Sequence, residues 1–158
     1  MEELSAPEYE DIFSVKCPPG TSMVDVVTAF FFSPPKSVKI LMGIRNSLVS
    51  VVGLKTGYSS ERIKPSVLKS GSQIGLFEIA SLTPDSALIG ADDSHLNFRI
   101  VMNIRDNILS CRTQVHFNNA LGRVYFSFVK PFHKLVVPAM LNSSIRHLGR
   151  PQGNGIVS

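Results

Sequence analysis

The chain has 158 residues, of which 44% are apolar and 18% are charged, and its mean hydropathy is +0.16. This composition predicts one domain with a sizeable core, and it excludes a disordered chain and a disulfide-rich mini-protein. The net charge is +4, but residues 1–11 hold five carboxylates and no Lys or Arg, so the remainder carries +9. We therefore expect an acidic arm over residues 1–8, a single domain over 9–148 and a loose tail over 149–158.

The sequence also limits the compartment, the cofactors and the partners. Its acidic start differs from the basic start of a signal peptide, and its uncharged runs are shorter than the ~20 residues of a membrane span. Cys17 and Cys111 lie far apart and lack the spacing of a zinc site, which is typical of buried thiols. We expect a cytoplasmic protein without a metal or a cofactor. No motif of nucleic-acid recognition is present, so nucleic acid is not an expected partner.

In chain order, the first elements are a strand and two helices. Residues 9–17 alternate apolar and polar side chains and end at a Pro-Pro-Gly sequence, which predicts a strand. A short helix is expected over 21–32, and a second over 36–52, where apolar residues recur every three to four positions. Residues 54–74 are basic and contain several Gly and Ser residues, which predicts a long loop and a candidate lid.

Two β-hairpins are predicted in the middle of the chain. The first joins residues 76–82 to 87–92 through a Thr-Pro-Asp-Ser turn. The second turns at Asp106-Asn107, two residue types that tolerate positive φ, and this turn fixes its register. The register separates an apolar face from a polar one, a division that a slip of one residue would destroy. The pairs on the apolar face are Ile104 with Leu109, Met102 with Cys111, Ile100 with Thr113, Phe98 with Val115 and Leu96 with Phe117.

The last predicted element is a long helix over residues 119–147. An apolar stripe with spacings of three and four residues is expected to cover the apolar face of the sheet. The helix contains no Asp or Glu, and Pro131 and Pro138 should kink or interrupt it. The apolar stripe consists of Leu121, Tyr125, Phe128, Phe132, Leu135 and Ala139, and a basic stripe opposite consists of Arg123, Ser127, Lys130 and Lys134.

This order of elements predicts an α+β fold. A one-sided antiparallel sheet needs a cover for its apolar face, and the C-terminal helix has the matching stripe. The predicted architecture is a helix-grip: a curved antiparallel sheet wrapped around the long C-terminal helix, with two short helices after the first strand. A cavity is expected between the sheet and the long helix.

Three separated motifs carry a resemblance to a known family. They read Asp-Asp-Ser-His-Leu-Asn-Phe-Arg at 92–99, Asn-Ala-Leu-Gly-Arg-Val-Tyr at 119–125 and Val-Lys-Pro-Phe-His at 129–133. In this order they resemble the pattern of an uncharacterised domain-of-unknown-function family, number twenty-eight sixty-seven. The resemblance implies a START-like, polyketide-cyclase-like helix-grip fold, and it implies no substrate or catalytic residue. Asn97 departs from the family pattern, which usually has Asp at that position.

Two groups of side chains are candidate sites. A polar cluster on the second hairpin could hold a general base or a metal ion, although its predicted face points away from the helix. A solvated cross-strand network is therefore the simpler interpretation of that cluster, which comprises Asp93, His95, Arg99 and His116. The candidate ligand-binding residues between sheet and helix are Phe98, Met102, Phe117, Tyr125, Phe128 and Phe132, with His133 at their border.

Three functional hypotheses follow from these groups. The leading one is a non-enzymatic module that binds a small hydrophobic or lipid-like molecule between helix and sheet. The second is a cyclase- or hydrolase-type enzyme that uses His95, Arg99 or His133, which must then converge in one concave site. The third is an interaction module for anionic surfaces or protein partners, and a homodimer is compatible with each hypothesis. The cations that support the third are Arg123, Lys130, Lys134 and Arg146.

Overall fold

A computed structural model describes residues 1–38, 68–74 and 77–149 of the chain. Its strands are β1 (Tyr9–Lys16), β2 (Gln73–Ile74), β3 (Phe77–Leu82), β4 (Ser86–Asp92), β5 (Leu96–Arg105) and β6 (Ile108–Phe117). Its helices with both ends described are α1 (Met23–Phe32) and α2 (Ala120–Leu148). The strands form one antiparallel, curved sheet in the order β1-β6-β5-β4-β3-β2. The prediction of an α+β fold with a long C-terminal helix is confirmed.

The β5–β6 hairpin has the predicted turn and the predicted register. Asp106 and Asn107 adopt φ values of 52° and 58°, as the two central residues of a tight hairpin turn require. All five pairs expected on the apolar face are present in the sheet. The first hairpin also forms, with a register shift between Ile79 and Ser81 that marks a β-bulge in β3.

Alternation along the strands gives the sheet an inner face, which the helices cover, and an outer face. The centre of the inner face is densely packed: Ile89 and Met102 have no exposed surface, and Ile100 is 6% exposed. α1 packs between β4 and α2, and its Val26 and Val27 are completely buried in the same core cluster. The middle of the space between sheet and helix is therefore filled by apolar side chains.

The face of α2 that packs on the sheet differs from the predicted one. Leu121, Phe128 and Leu135 were expected to face the sheet, but they are 37%, 50% and 61% exposed, so this prediction is wrong. The buried face lies one position further along the chain and comprises Gly122, Phe126, Val136, Val137, Leu141 and Ser144. The helix thus has two apolar faces, one buried and one exposed. We call the exposed one the outer stripe, which consists of Leu121, Val124, Phe128 and Leu135.

Gly122 explains which face is buried. A Cβ atom at this position would collide with the carbonyl oxygen of His95, in the turn between β4 and β5. Only a helix that turns its glycine toward this turn can approach the sheet so closely, because a larger side chain needs space that the backbone already occupies. The direction of α2 is thus set by steric fit, which hydrophobic periodicity does not report.

α2 begins and ends within one residue of its predicted bounds, 119–147. The Asn119 side chain caps the helix by accepting a hydrogen bond from the Gly122 amide at 3.0 Å. The helix then runs without interruption through Pro131 and Pro138 to Leu148. The predicted long C-terminal helix is therefore confirmed, and of the two outcomes expected at its prolines, a kink or an interruption, the interruption does not occur.

The acidic N-terminal arm crosses the outer face of the sheet. The Leu4 amide donates to Gln114 Oε1 at 3.1 Å, and the Glu2 carbonyl oxygen accepts from Arg99 Nε at 2.9 Å. Glu3 forms an ion pair with Arg112 at 3.3 Å. As a result Arg99 and Gln114 are buried, although the sequence predicted a solvated face at these positions.

Several predicted segments lie wholly or partly outside the described residues. The second helix, predicted over 36–52, is described only at 36–38, which are helical. Most of the predicted loop over 54–74 and nearly all of the predicted tail over 149–158 lie outside as well, whereas the end of the loop forms a turn and β2. Among the described residues, no helix is long and apolar enough to cross a membrane.

Candidate functional site

The first two sequence motifs meet at one corner of the molecule, where the β4–β5 turn touches the start of α2. The Asn118 side-chain amide donates to the Asp93 carbonyl oxygen at 2.7 Å, and the Asn119 amide donates to the Ser94 carbonyl oxygen at 3.0 Å. The Asn118 backbone amide also donates to the carbonyl oxygen of His95 at 2.9 Å. These bonds occupy the backbone acceptors of the turn, so the motif residues here act as structural connectors.

The four residues of the predicted polar cluster do not converge on one point. Arg99 is 5% exposed and forms an ion pair of 2.6 Å with Asp92 on the outer face. Asp93 accepts a hydrogen bond from the Ser94 amide within the turn, while His95 lies 3.5 Å from the side chain of Asn119. His116 faces the arm instead, as described next. Within the described ranges, no group of three or more metal-binding side chains is present.

The carboxylate of Glu8, at the end of the arm, is the group that His116 faces. This carboxylate accepts a hydrogen bond of 2.7 Å from the Phe117 amide and pairs with Arg123 at 2.5 Å. His116 Nδ1 lies 3.6 Å from the same carboxylate. The arm is therefore fastened to the end of β6 and to the first turns of α2 by one carboxylate. Because Glu8 already contacts both His116 and Arg123, these side chains serve to hold the arm and are not a site prepared for a ligand.

A second polar group lies on the inner face, between β1 and α2. His133 Nε2 is 3.2 Å from Asp11 Oδ2, and Tyr9 donates a hydrogen bond of 2.6 Å to the same oxygen. The side chains of His133 and Asp11 are only 11% and 14% exposed. Lys130 Nζ lies 5.0 Å from the centre of the Tyr9 ring, so a cation borders the group. This is the one place on the inner face, among the residues described, where an ion pair is enclosed.

The titration of these groups reflects their burial. Burial alone would raise the pKa of Asp11, but hydrogen bonds from His133 and Tyr9 and the charge of His133 outweigh it, so the pKa is lowered. Burial and the Asp11 carboxylate raise the pKa of Tyr9. Burial, assisted by the Asp11 charge, raises the pKa of the Cys111 thiol to about 12. Asp11 therefore stays ionised, while Tyr9 and Cys111 stay protonated and unreactive.

Thr113 faces Asp11 across the strand pair and completes this group. Its hydroxyl oxygen is buried and has no partner with hydrogen-bond geometry among the described residues. Because Thr113 is directly opposite Asp11 in the strand ladder, it also helps to lower the pKa of that carboxyl group. We regard this contact as weak, since the geometry of a full hydrogen bond is not met.

Sequence reasoning found His133 and missed its partner. Asp11 was counted only as one of the five carboxylates of residues 1–11, although the alternation of β1 places it on the same face as Phe13 and Val15. A carboxylate at an inward position of a half-buried strand requires a partner in the core. That signal, together with a histidine on the inward side of α2, would have been sufficient to suggest the pair.

The predicted ligand-binding aromatic and methionine side chains have five different surroundings. Met102 is completely buried in the core, and Phe128 is 50% exposed on the outer stripe, so neither lines a space between sheet and helix. Phe117 packs on Phe126 beneath α2, with ring centres 5.4 Å apart. Tyr125 and Phe132 are half-buried on α2. Phe98 is half-buried on the inner face itself.

Phe98 belongs to a row of aromatic rings at one end of the inner face. Its ring centre lies 5.6 Å from that of Phe77, across Ala91 of the strand between them, and Phe77 lies 6.0 Å from Phe31 of α1. We call Phe31, Phe77 and Phe98 the aromatic row. All three side chains are half-buried, whereas the next inward positions of β3, β4 and β5 are almost completely buried. The inner face is thus packed solidly at its centre and only partly covered at this end.

The fold and these motifs define a class, namely an α+β domain whose curved antiparallel sheet packs against a long C-terminal helix. The family model described as "Protein of unknown function (DUF2867)" matches residues 4–140, and the chain belongs to this family. Among curated proteins, none is similar enough in sequence to count as a relative. The family that the three motifs suggested is confirmed, and its description assigns no function.

Proposed function

We propose that the protein binds a small hydrophobic molecule against the aromatic row. The observation that supports this proposal is the change in burial along the inner face. Ile79, Ile89 and Ile100 are at most 6% exposed. Phe77 and Phe98, two residues away along β3 and β5, are only half-buried. Large apolar side chains left accessible beside a packed core are typical of small-molecule sites, because burying them is favourable by about 25 cal/mol per Å².

The aromatic row also suggests the shape of the molecule. Phe77 and Phe98 are tilted by 48° and Phe31 and Phe77 by 42°, so the rings form a stepped surface of apolar atoms. A planar or aromatic molecule, or a short acyl chain, can pack on such a surface by offset stacking and apolar contact. The START-like, helix-grip placement that the motifs imply is consistent with a ligand between sheet and helix. In this proposal Phe98 is the central contact.

Native mass spectrometry provides the direct test. The protein is expressed in a heterologous host, and its mass is measured before and after extraction with organic solvent. We expect an adduct that the solvent removes and whose mass can be identified. In parallel, the affinity for the apolar dye anilinonaphthalene sulfonate is measured for Phe98→Ala. Losing one aromatic contact should weaken dye binding on the order of tenfold.

Phe128→Ala is the matched control for Phe98→Ala. It removes the same side chain from the exposed face of α2, which is remote from the aromatic row. We expect its dye affinity to equal that of the unchanged protein. The absence of an adduct, combined with equal dye affinities for the two variants, would rule out the proposed site.

A further inference from the structure

The outer stripe of α2 is an apolar surface that the described residues leave exposed. Leu121, Val124, Phe128 and Leu135 follow one another at intervals of three, four and seven residues, which places them on one side of the helix. They are 37%, 49%, 50% and 61% exposed. Single exposed apolar residues are ordinary, but four in line on one helix form a continuous patch of the kind found at interaction surfaces.

The charge of α2 indicates what such a surface can bind. From Ala120 to Leu148 the helix contains no Asp or Glu. Lys130, Lys134 and Arg146 are all exposed along it, whereas Arg123 at its start is paired with Glu8. An apolar stripe on a helix whose charged side chains are all cations combines two attractions, one for hydrocarbon and one for negative charge.

We propose that the outer stripe docks α2 flat on the surface of an anionic lipid bilayer. A bilayer of this kind offers negative head groups above a hydrocarbon layer, which matches both attractions. The long stems of Lys134 and Arg146 allow their charged groups to reach the head groups while the apolar side chains enter the boundary region. Pairing with a second copy is disfavoured, because two such helices would bring their cations together without a carboxylate from either helix.

This docking surface is separate from the aromatic row. The outer stripe lies on the side of α2 that points away from the sheet, whereas Phe98 lies on the sheet beneath the helices. A failure of ligand binding would therefore leave bilayer docking unaffected, and the reverse is also true. The variants Phe98→Ala and Phe128→Ala separate the two, since each changes one surface only.

Vesicle co-sedimentation of the full chain tests the proposal. The vesicles contain phosphatidylcholine alone or with about 30% phosphatidylserine, which sets the negative surface potential. We expect binding to the anionic vesicles that weakens strongly when sodium chloride rises from about 0.05 M to about 0.5 M, because salt screens the attraction. The double variant Phe128→Ser/Leu135→Ser should bind on the order of 100-fold more weakly, through the loss of two apolar contacts. Lys134→Glu should weaken binding on the order of tenfold.

Two control variants match these changes elsewhere on the surface. Ile12→Ser removes an apolar side chain that is 57% exposed on β1, and Arg105→Glu reverses an exposed charge at the β5–β6 turn. Both should bind the vesicles as the unchanged protein does, and all variants should retain their melting temperature. Lack of binding, binding independent of salt, or equal losses in the control variants would overturn the proposal. So would a dimer in solution that Phe128→Ser/Leu135→Ser dissociates, because the stripe would then be a protein interface.

Discussion

Two faces of α2 carry apolar side chains, but only one of them is buried against the sheet. The buried face includes a glycine and a serine among its apolar residues and has His133 at its border, whereas the outer stripe is formed by larger side chains such as Phe128 and Leu135. By hydrophobicity alone, the outer stripe should have been buried. The comparison shows that a helix packs through the face that fits, because close packing and paired polar groups outweigh a gain in apolar area.

Two contacts on the buried face account for this choice. Gly122 permits the approach to the β4–β5 turn, and His133 meets the carboxylate of Asp11. The outer stripe contains neither a glycine that would allow such a close approach nor a polar side chain that could pair with a carboxylate. Changes at these contacts therefore test whether steric fit or hydrophobic periodicity sets the orientation of α2.

The largest effect is expected for Gly122→Ala. The new methyl group would collide with the backbone of His95, and backbone cannot move as a side-chain tip can. We expect the free energy of unfolding to fall on the order of 4 kcal/mol, despite the better helix propensity of alanine. Chemical denaturation measures this change. Gly149→Ala, at the other end of the helix, is the control. A Cβ atom there would lie 3.3 Å from the nearest atom, the Ile145 carbonyl oxygen, and would not collide with it. Equal stability of Gly122→Ala and the unchanged protein would show that fit at this corner does not orient the helix.

A smaller but still large effect is expected for Asp11→Ala. This variant leaves His133 enclosed without its partner, and breaking a buried pair from one side costs about 3 kcal/mol. The same denaturation experiment measures the loss. Asp25→Ala, an exposed carboxylate in the first turn of α1, should cost less than about 1 kcal/mol. If the two carboxylate variants were equally stable, the Asp11–His133 pair would contribute nothing to the docking of α2.

The smallest of the three effects is a dependence on pH. Because the pKa of Asp11 is lowered in the folded protein, its carboxylate contributes stability above the ordinary carboxyl pKa of about 3.9. That contribution disappears as the pH falls through the lower pKa of the folded state. The stability difference between the unchanged protein and Asp11→Ala should thus shrink as the pH falls below about 4. A difference that grew in acid would contradict the direction of the shift.

The sequence alone was sufficient to predict how β5 and β6 pair in the sheet, for physical reasons. The register of β5 and β6 depends on a two-residue turn and on alternation, both of which are local and have a period of two. The cap at Asn119 and the length of α2 also depend on local signals. The uninterrupted course of the helix past its prolines could not be predicted, because neighbouring packing decides whether a proline breaks a helix.

The candidate sites were harder to predict, since they depend on contacts between distant segments. Asp11 and His133 are 122 positions apart, and Arg99 and Glu2 are 97 positions apart. No spacing rule connects such residues in the absence of the fold. Arg99 illustrates this limit. The predicted register correctly placed Arg99 on the outer face, but it could not show that the acidic arm covers that face.

The strand order has a consequence for how the chain is synthesised. β1 is an edge strand whose ladder partner is β6, so residues 9–16 pair with residues 108–115. On the ribosome, β1 emerges about 100 residues before its partner, and it must wait unpaired until the β5–β6 hairpin exists. The charged outward positions Glu10 and Lys16 would discourage pairing with other nascent chains during this interval. Closing this long loop is expected to be the slow step of folding, because its entropic cost precedes most of the contacts that β1 makes.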